Sequence, residues 1–125
     1  MRLYARWLFG VAAAANVAVG AAFVFAQPLL VRLLALDPVA GTNAVFAATA
    51  GVLIAAFGYG YARIALDPVR YRPLIHIGAI GKLAAVATAA LFAALDPRGL
   101  RFLMLVSGDA VLAGLFLDYL RRTRA

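Results

Sequence analysis

Four apolar runs, each about long enough to cross a bilayer as a helix, leave this chain few folds to choose from. They are Trp7–Ala26, Ala44–Leu66, Leu74–Leu95 and Phe102–Leu120, and each approaches or exceeds the ~20 residues that span ~30 Å of hydrocarbon. The sequence therefore predicts an all-α fold, an integral membrane antiparallel four-helix bundle, with residues 1–125 forming one domain. Composition points the same way. The chain is 66% hydrophobic and 14% charged, against roughly 45–50% and 25% for soluble domains, and its mean hydropathy is +0.97.

Breakers separate the runs. Leu-Asp-Pro occurs at 36–38, 66–68 and 95–97, each time directly after an alanine. Proline disfavours α conformation in the residue before it, and Asp suits a turn, so the triplets read as helix punctuation. Their spacing is also compatible with a duplicated two-helix unit. The long first connection, Gln27–Asn43, carries the Leu-rich stretch Pro28–Leu36, too short to span. It is expected to be an ordered element on the outer face containing one short interfacial helix, with Arg32 reaching headgroups; a re-entrant lid over the bundle is the alternative. Arg2 and Arg6 ahead of the first run resemble a signal peptide, but the run is 20 residues long and contains Asn16, so it reads as the first span.

The net charge of +7 does not form a nucleic-acid patch, because the basic residues punctuate the ends of apolar runs. Eight arginines (Arg2, Arg6, Arg63, Arg70, Arg72, Arg121, Arg122 and Arg124) lie on one side of the four spans, and Arg32, Arg98 and Arg101 lie on the other. The positive-inside rule then places both termini in the cytoplasm. The Ala-, Leu- and Arg-rich composition suggests a bacterial protein, hence one of the inner membrane. Cysteine is absent, which removes thiolate catalysis, disulfide chemistry and thiolate metal sites.

Two charges interrupt the apolar runs. Lys82, the only lysine, lies in the third and Asp109 in the fourth. A charge near the bilayer centre costs at least ~2.5–3.5 kcal/mol on insertion scales, so such residues face a partner or a watery cavity. Depths taken from the span midpoints put Lys82 ~4 Å to the cytoplasmic side and Asp109 ~3 Å to the outer side, only ~7 Å apart along the normal. Asn16 is almost central, and Tyr59, roughly 6 Å to the cytoplasmic side, is expected to aim its hydroxyl at the same layer. Lys82, Asp109, Asn16 and Tyr59 are thus the candidate polar core. It serves either as a satisfied pair that fixes helix order or as a polar anchor, or proton site, at the bottom of an apolar pocket.

Other polar residues suit plainer roles. His76 is the only histidine and no Glu exists, so no metal or haem site is predicted; ~13 Å below the midpoint, it is an interfacial residue. Asp118 follows Asp109 by half a helical turn in phase and is expected to pair with Arg121, Arg122 or Arg63. Tyr61 fits an interfacial aromatic belt. Small residues at Gly20, at Ala47, Gly51 and Ala55, at Gly78 and Gly81, and at Gly108 and Gly114 are expected to let the helices approach closely.

Asn16-Val17-Ala18-Val19-Gly20 in the first run, Gly58-Tyr59-Gly60-Tyr61 with Asp67-Pro68-Val69-Arg70, Gly81-Lys82 and Gly108-Asp109 together resemble small four-helix bacterial inner-membrane proteins of the DoxX-like kind. Most of those carry no assigned activity, and some accompany quinone-linked oxidoreductases, so the resemblance implies a role as an accessory subunit. Three functions fit the residues. The first is a binding or accessory membrane protein, holding a lipid, quinone or other apolar ligand, or docking onto a larger membrane complex or its own copies. The second is a small proton-coupled transporter using Asp109. The third is an intramembrane enzyme with Asp109 or Tyr59 as acid or base and Lys82 as electrophile. No catalytic signature is present, and no cofactor is identifiable beyond a bound lipid or quinone.

Overall fold

The computed structural model describes residues 1–124. Its helices are α1 (Arg2–Phe25), α2 (Gln27–Leu34), α3 (Thr42–Leu66), α4 (Arg72–Leu95) and α5 (Leu100–Arg122), with a 3-10 turn at Pro97–Gly99 ahead of α5. The described residues include no strand. Four helices are long and apolar enough to cross a membrane, and they fall on the four runs read from the sequence.

The helix ends have local causes. Asp67 and Asp96 cap α3 and α4 directly after Leu66 and Leu95. Their Oδ1 atoms accept from the backbone N–H groups of Arg70 (3.1 Å) and Arg98 (3.0 Å). Such side-chain turns compete with the helical ladder, and the proline that follows each Asp disfavours its continuation. Two of the three Leu-Asp-Pro triplets thus act as punctuation, while the third lies beyond the end of α2. Pro28 sits in the first turn of α2, where its missing N–H costs nothing. Gln27 ties that corner down, its Nε2 donating to the carbonyls of Phe23 (2.9 Å) and Ala44 (3.2 Å). Gly41, at φ 57° and ψ −132°, turns the chain into α3 through a region open to glycine.

The helices associate in two closely packed pairs, α1 with α3 and α4 with α5. In the first pair backbone meets backbone. A Cβ placed on Gly20 would lie 2.5 Å from the Gly51 carbonyl oxygen and 2.8 Å from the Ala55 nitrogen, and one on Gly51 would lie 2.6 Å from the Gly20 oxygen. Further along, a Cβ on Gly58 would lie 3.1 Å from the Ala13 oxygen. Close approach of this kind replaces, in lipid, the hydrophobic drive that water supplies to soluble bundles. Gly108 and Gly114, expected to help pack the bundle, meet no atom within 4 Å and lie on the outer face of α5.

The two pairs join at the arginine-rich end through large side chains. Phe9 packs against Phe116 at 4.8 Å between centroids, the rings tilted by 45°, and meets Tyr119 edge-on at 5.4 Å. Tyr61 meets Phe116 edge-on at 5.3 Å, and Ile64 and Ile75 fill the space beside them. Gly78 makes room for the Tyr61 ring, whose Cε1 lies 2.6 Å from where a Cβ would stand. Arg72 then closes this end, donating to the Thr123 hydroxyl (2.6 Å) and the Leu120 carbonyl (2.8 Å), which ties the start of α4 to the end of α5.

Candidate functional site: an ion pair where all four long helices meet

The buried stripe of α4 runs Ile75, Gly78, Ala79, Lys82 and Ala89. That spacing repeats one face of a helix, so the lysine points inward with its apolar neighbours. On α5 the buried residues Val106, Ala113 and Phe116 bracket Asp109 at the same three- and four-residue steps. Helical phase therefore aims both charges at the interior. They meet there: Lys82 Nζ donates to Asp109 Oδ1 at 2.6 Å.

The other pair of helices completes the constellation. Lys82 Nζ also donates to Asn16 Oδ1 of α1 at 3.1 Å. Asn16 Nδ2 in turn donates to the backbone carbonyl of Ile54 in α3 at 3.1 Å. A helical carbonyl has a second lone pair free for such a bond. The ammonium lies 5.1 Å from the centroid of the Tyr61 ring, again from α3. An ammonium has three donors, and here two take oxygens while an aromatic face lies beside it. One polar network thus spans all four long helices.

The two charges differ in access. The Lys82 side chain is 4% exposed and that of Asp109 30%. The cation is enclosed by its partners, while the carboxylate opens on one side. Charge-assisted hydrogen bonds are about twice as strong as neutral ones, and removing one partner of a buried pair leaves the other uncompensated. The site therefore encloses the lysine inside an apolar bundle and leaves part of the Asp109 carboxyl open.

Three of the four expected polar-core residues come together: Lys82, Asp109 and Asn16. Tyr59 does not. It is 66% exposed, and Tyr61, buried at 2%, stands beside the lysine instead. The reason is rotation about the helix axis, which a depth calculation leaves open. Gly51, Gly58, Tyr61 and Ile64 form the buried stripe of α3, and Tyr59 lies roughly 200° around the helix from Tyr61. The seven-residue step from Gly51 to Gly58, continued by three residues, was the signal that favoured Tyr61. Its assignment to an interfacial belt is corrected accordingly.

The remaining polar residues lie toward the helix ends. His76 is exposed, and Asp118 accepts from Arg122 Nε at 2.7 Å. Arg63 Nη2 donates to the Tyr71 hydroxyl at 2.6 Å, which holds that phenol below its ordinary pKa. At the opposite end Arg98 pairs with Asp96 at 2.7 Å and reaches Asp37 at 3.5 Å. The side-chain and backbone donors of Arg98 keep the Asp96 carboxyl below the usual carboxylate range. Among the described residues no group of three or more His, Cys, Asp or Glu side chains gathers to hold a metal. Compared with family models, curated proteins and solved structures, the chain matches none.

Proposed function

We propose that this chain is a bacterial inner-membrane protein, an antiparallel four-helix bundle with cytoplasmic termini, that binds a lipid-soluble ligand at the Lys82–Asp109 centre or serves a larger membrane complex as an accessory subunit. Four long apolar helices support the membrane setting. Contacts that fall in residue number on one helix as they rise on the other, Gly20 to Gly51 and Ala13 to Gly58, support the antiparallel arrangement. The arginine asymmetry supports the orientation. The DoxX-like motifs fit a small accessory or binding role, and residues that carry those motifs, Asn16, Lys82 and Asp109, meet in one network.

The observation that carries the reading is the unequal access of the two charges. A pair that served the fold alone is best closed on both members, because an anion open to hydrocarbon is costly. Here only the cation is closed, so the carboxylate suits an occupant. Extraction of the membrane into polymer-bounded discs, followed by mass spectrometry of retained small molecules and proteins, tests this. The expected result is a lipid-soluble molecule or partner protein retained near stoichiometry by the native chain and lost from the Lys82→Met, Asp109→Leu double variant. Identical retention by both would refute it.

A further inference from the structure

The donor and acceptor inventory of the site narrows the class of ligand. Lys82 has nothing left to give: its ammonium is spent on Asp109, on Asn16 and on the face of Tyr61, and it is almost wholly enclosed. Asn16 is likewise engaged through both its oxygen and its nitrogen. Asp109 is not. Its Oδ1 takes the lysine, whereas its Oδ2 takes no hydrogen bond from the described residues. No buried side-chain polar atom among those residues lacks a partner, so Oδ2 reaches the surface. On either side of it along the same face of α5 stand Leu105, 39% exposed, and Leu112, half-buried. The Tyr61 hydroxyl also has no hydrogen-bond partner among the described residues, but Tyr61 is only 2% exposed against 30% for the Asp109 side chain, so the polar atom open to an occupant is an acceptor with apolar flanks.

From this we infer that the site selects apolar molecules that donate a hydrogen bond, a neutral hydroxyl above all, and discriminates against molecules whose only polar atoms are carbonyl or ether oxygens. The inference rests on the proposed binding function. An acceptor-only molecule would face Oδ2 with no proton between the two oxygens, and each would lose its hydrogen bond in a medium that supplies no water. A neutral donor suits the centre better than a cation because Lys82 already balances the carboxylate, and a further charge would have to be carried into hydrocarbon. Two sources share this chemistry: the phenolic hydroxyls of a quinol and the aliphatic hydroxyl of a diacylglycerol-type lipid.

The test is competition between matched pairs, read by native mass spectrometry of the full chain in doped detergent micelles. The pairs are decylubiquinol against decylubiquinone, and dioctanoylglycerol against its acetyl ester. The native chain is expected to favour the hydroxyl member at least about tenfold in one pair or both, as one hydrogen bond to a charged group implies; which pair discriminates tells the two sources apart. Asp109→Asn supplies a second reading. Lys82 demands the amide oxygen, which turns the NH2 group to where Oδ2 stood, so preference should reverse toward the ester or the quinone. Equal occupancy of both members in every pair that binds, or a preference for the acceptor in the native chain, overturns the donor inference and leaves a binding site standing. Retention of none of the four molecules, by either protein, overturns the binding reading and the inference with it.

Discussion

On the arginine-rich side of Lys82, the helices are joined by large side chains: Phe9, Tyr61, Ile64, Ile75, Phe116 and Tyr119 are buried together. On the other side the buried positions within the long helices are small or modest in size, namely Gly20, Gly51, Ala89 and Val106. There α1 and α3 touch backbone to backbone, and α2 with the loop after it meets the α4–α5 pair at polar contacts, Arg101 with the Leu33 carbonyl and Arg98 with Asp37. One half is held by filled volume and the other by removed volume. The polar network sits at the boundary, where the aromatic packing ends, and there the carboxylate remains accessible. The first half should fail when atoms are deleted and the second when atoms are added.

The largest effect expected from this contrast is at Gly51. Gly51→Val places a branched side chain against the Gly20 carbonyl and the Phe23 Cβ, 2.6 and 2.7 Å from the new Cβ. Backbone atoms cannot step aside as a side-chain tip would, so the α1–α3 pair must separate. Overpacking typically costs ~1–3 kcal/mol and sometimes more; the top of that range or beyond is expected, measured by reversible unfolding in mixed micelles. An unchanged unfolding midpoint would contradict the close approach.

Phe116→Ala breaks the other half. It removes the ring shared by Phe9 and Tyr61. In water a Phe→Ala change costs ~3–5 kcal/mol, but lipid removes much of the transfer part and leaves the packing loss, so about 2–3 kcal/mol is expected. The same assay checks it, with Ile80→Ala on the exposed face of α4 as a near-neutral control.

The smallest effect has the opposite sign. Gly114 meets nothing within 4 Å, so Gly114→Ala should stabilise α5 by ~0.5–1 kcal/mol through reduced backbone freedom in the unfolded chain. A destabilised Gly114→Ala would show that this face is covered by another chain in the membrane, and cross-linking there would then identify it.

Much of this was legible in the residues because span length is a coarse quantity. Apolar runs bounded by Asp-Pro and arginine fix where helices start and stop to within a few residues, and Pro28 with its leucines foretold α2. The Lys82–Asp109 pairing also followed, since two costly charges at similar depth have few alternatives. What depth cannot supply is azimuth. In a soluble bundle, apolar periodicity tells the buried stripe from the wet one. Here both faces are apolar, so nothing in the pattern separated Phe9 and Phe116, which are buried, from Trp7 and Phe25, which are exposed. The same blindness exchanged Tyr59 for Tyr61 and assigned packing roles to Gly108 and Gly114. The glycine spacing on α3 carried rotational information, because Gly51 and Gly58 mark the face that meets α1, but a glycine by itself does not, since Gly108 and Gly114 meet nothing.

Under the proposed function, the Lys82–Asp109 ion pair within one chain serves an occupant more than the fold. A double-mutant cycle of unfolding free energy in mixed micelles, over Lys82→Met and Asp109→Leu, tests it most directly, with retention of the co-extracted molecule or partner measured on the same four proteins. Each single change should leave a buried charge or carboxyl without its partner, at a cost of up to ~3–5 kcal/mol. The double variant should recover most of that stability while retention stays lost. Single costs that simply add in the double variant would contradict the pairing, and a stable double variant that retains its molecule or partner as the native chain does would show that the pair serves the fold alone.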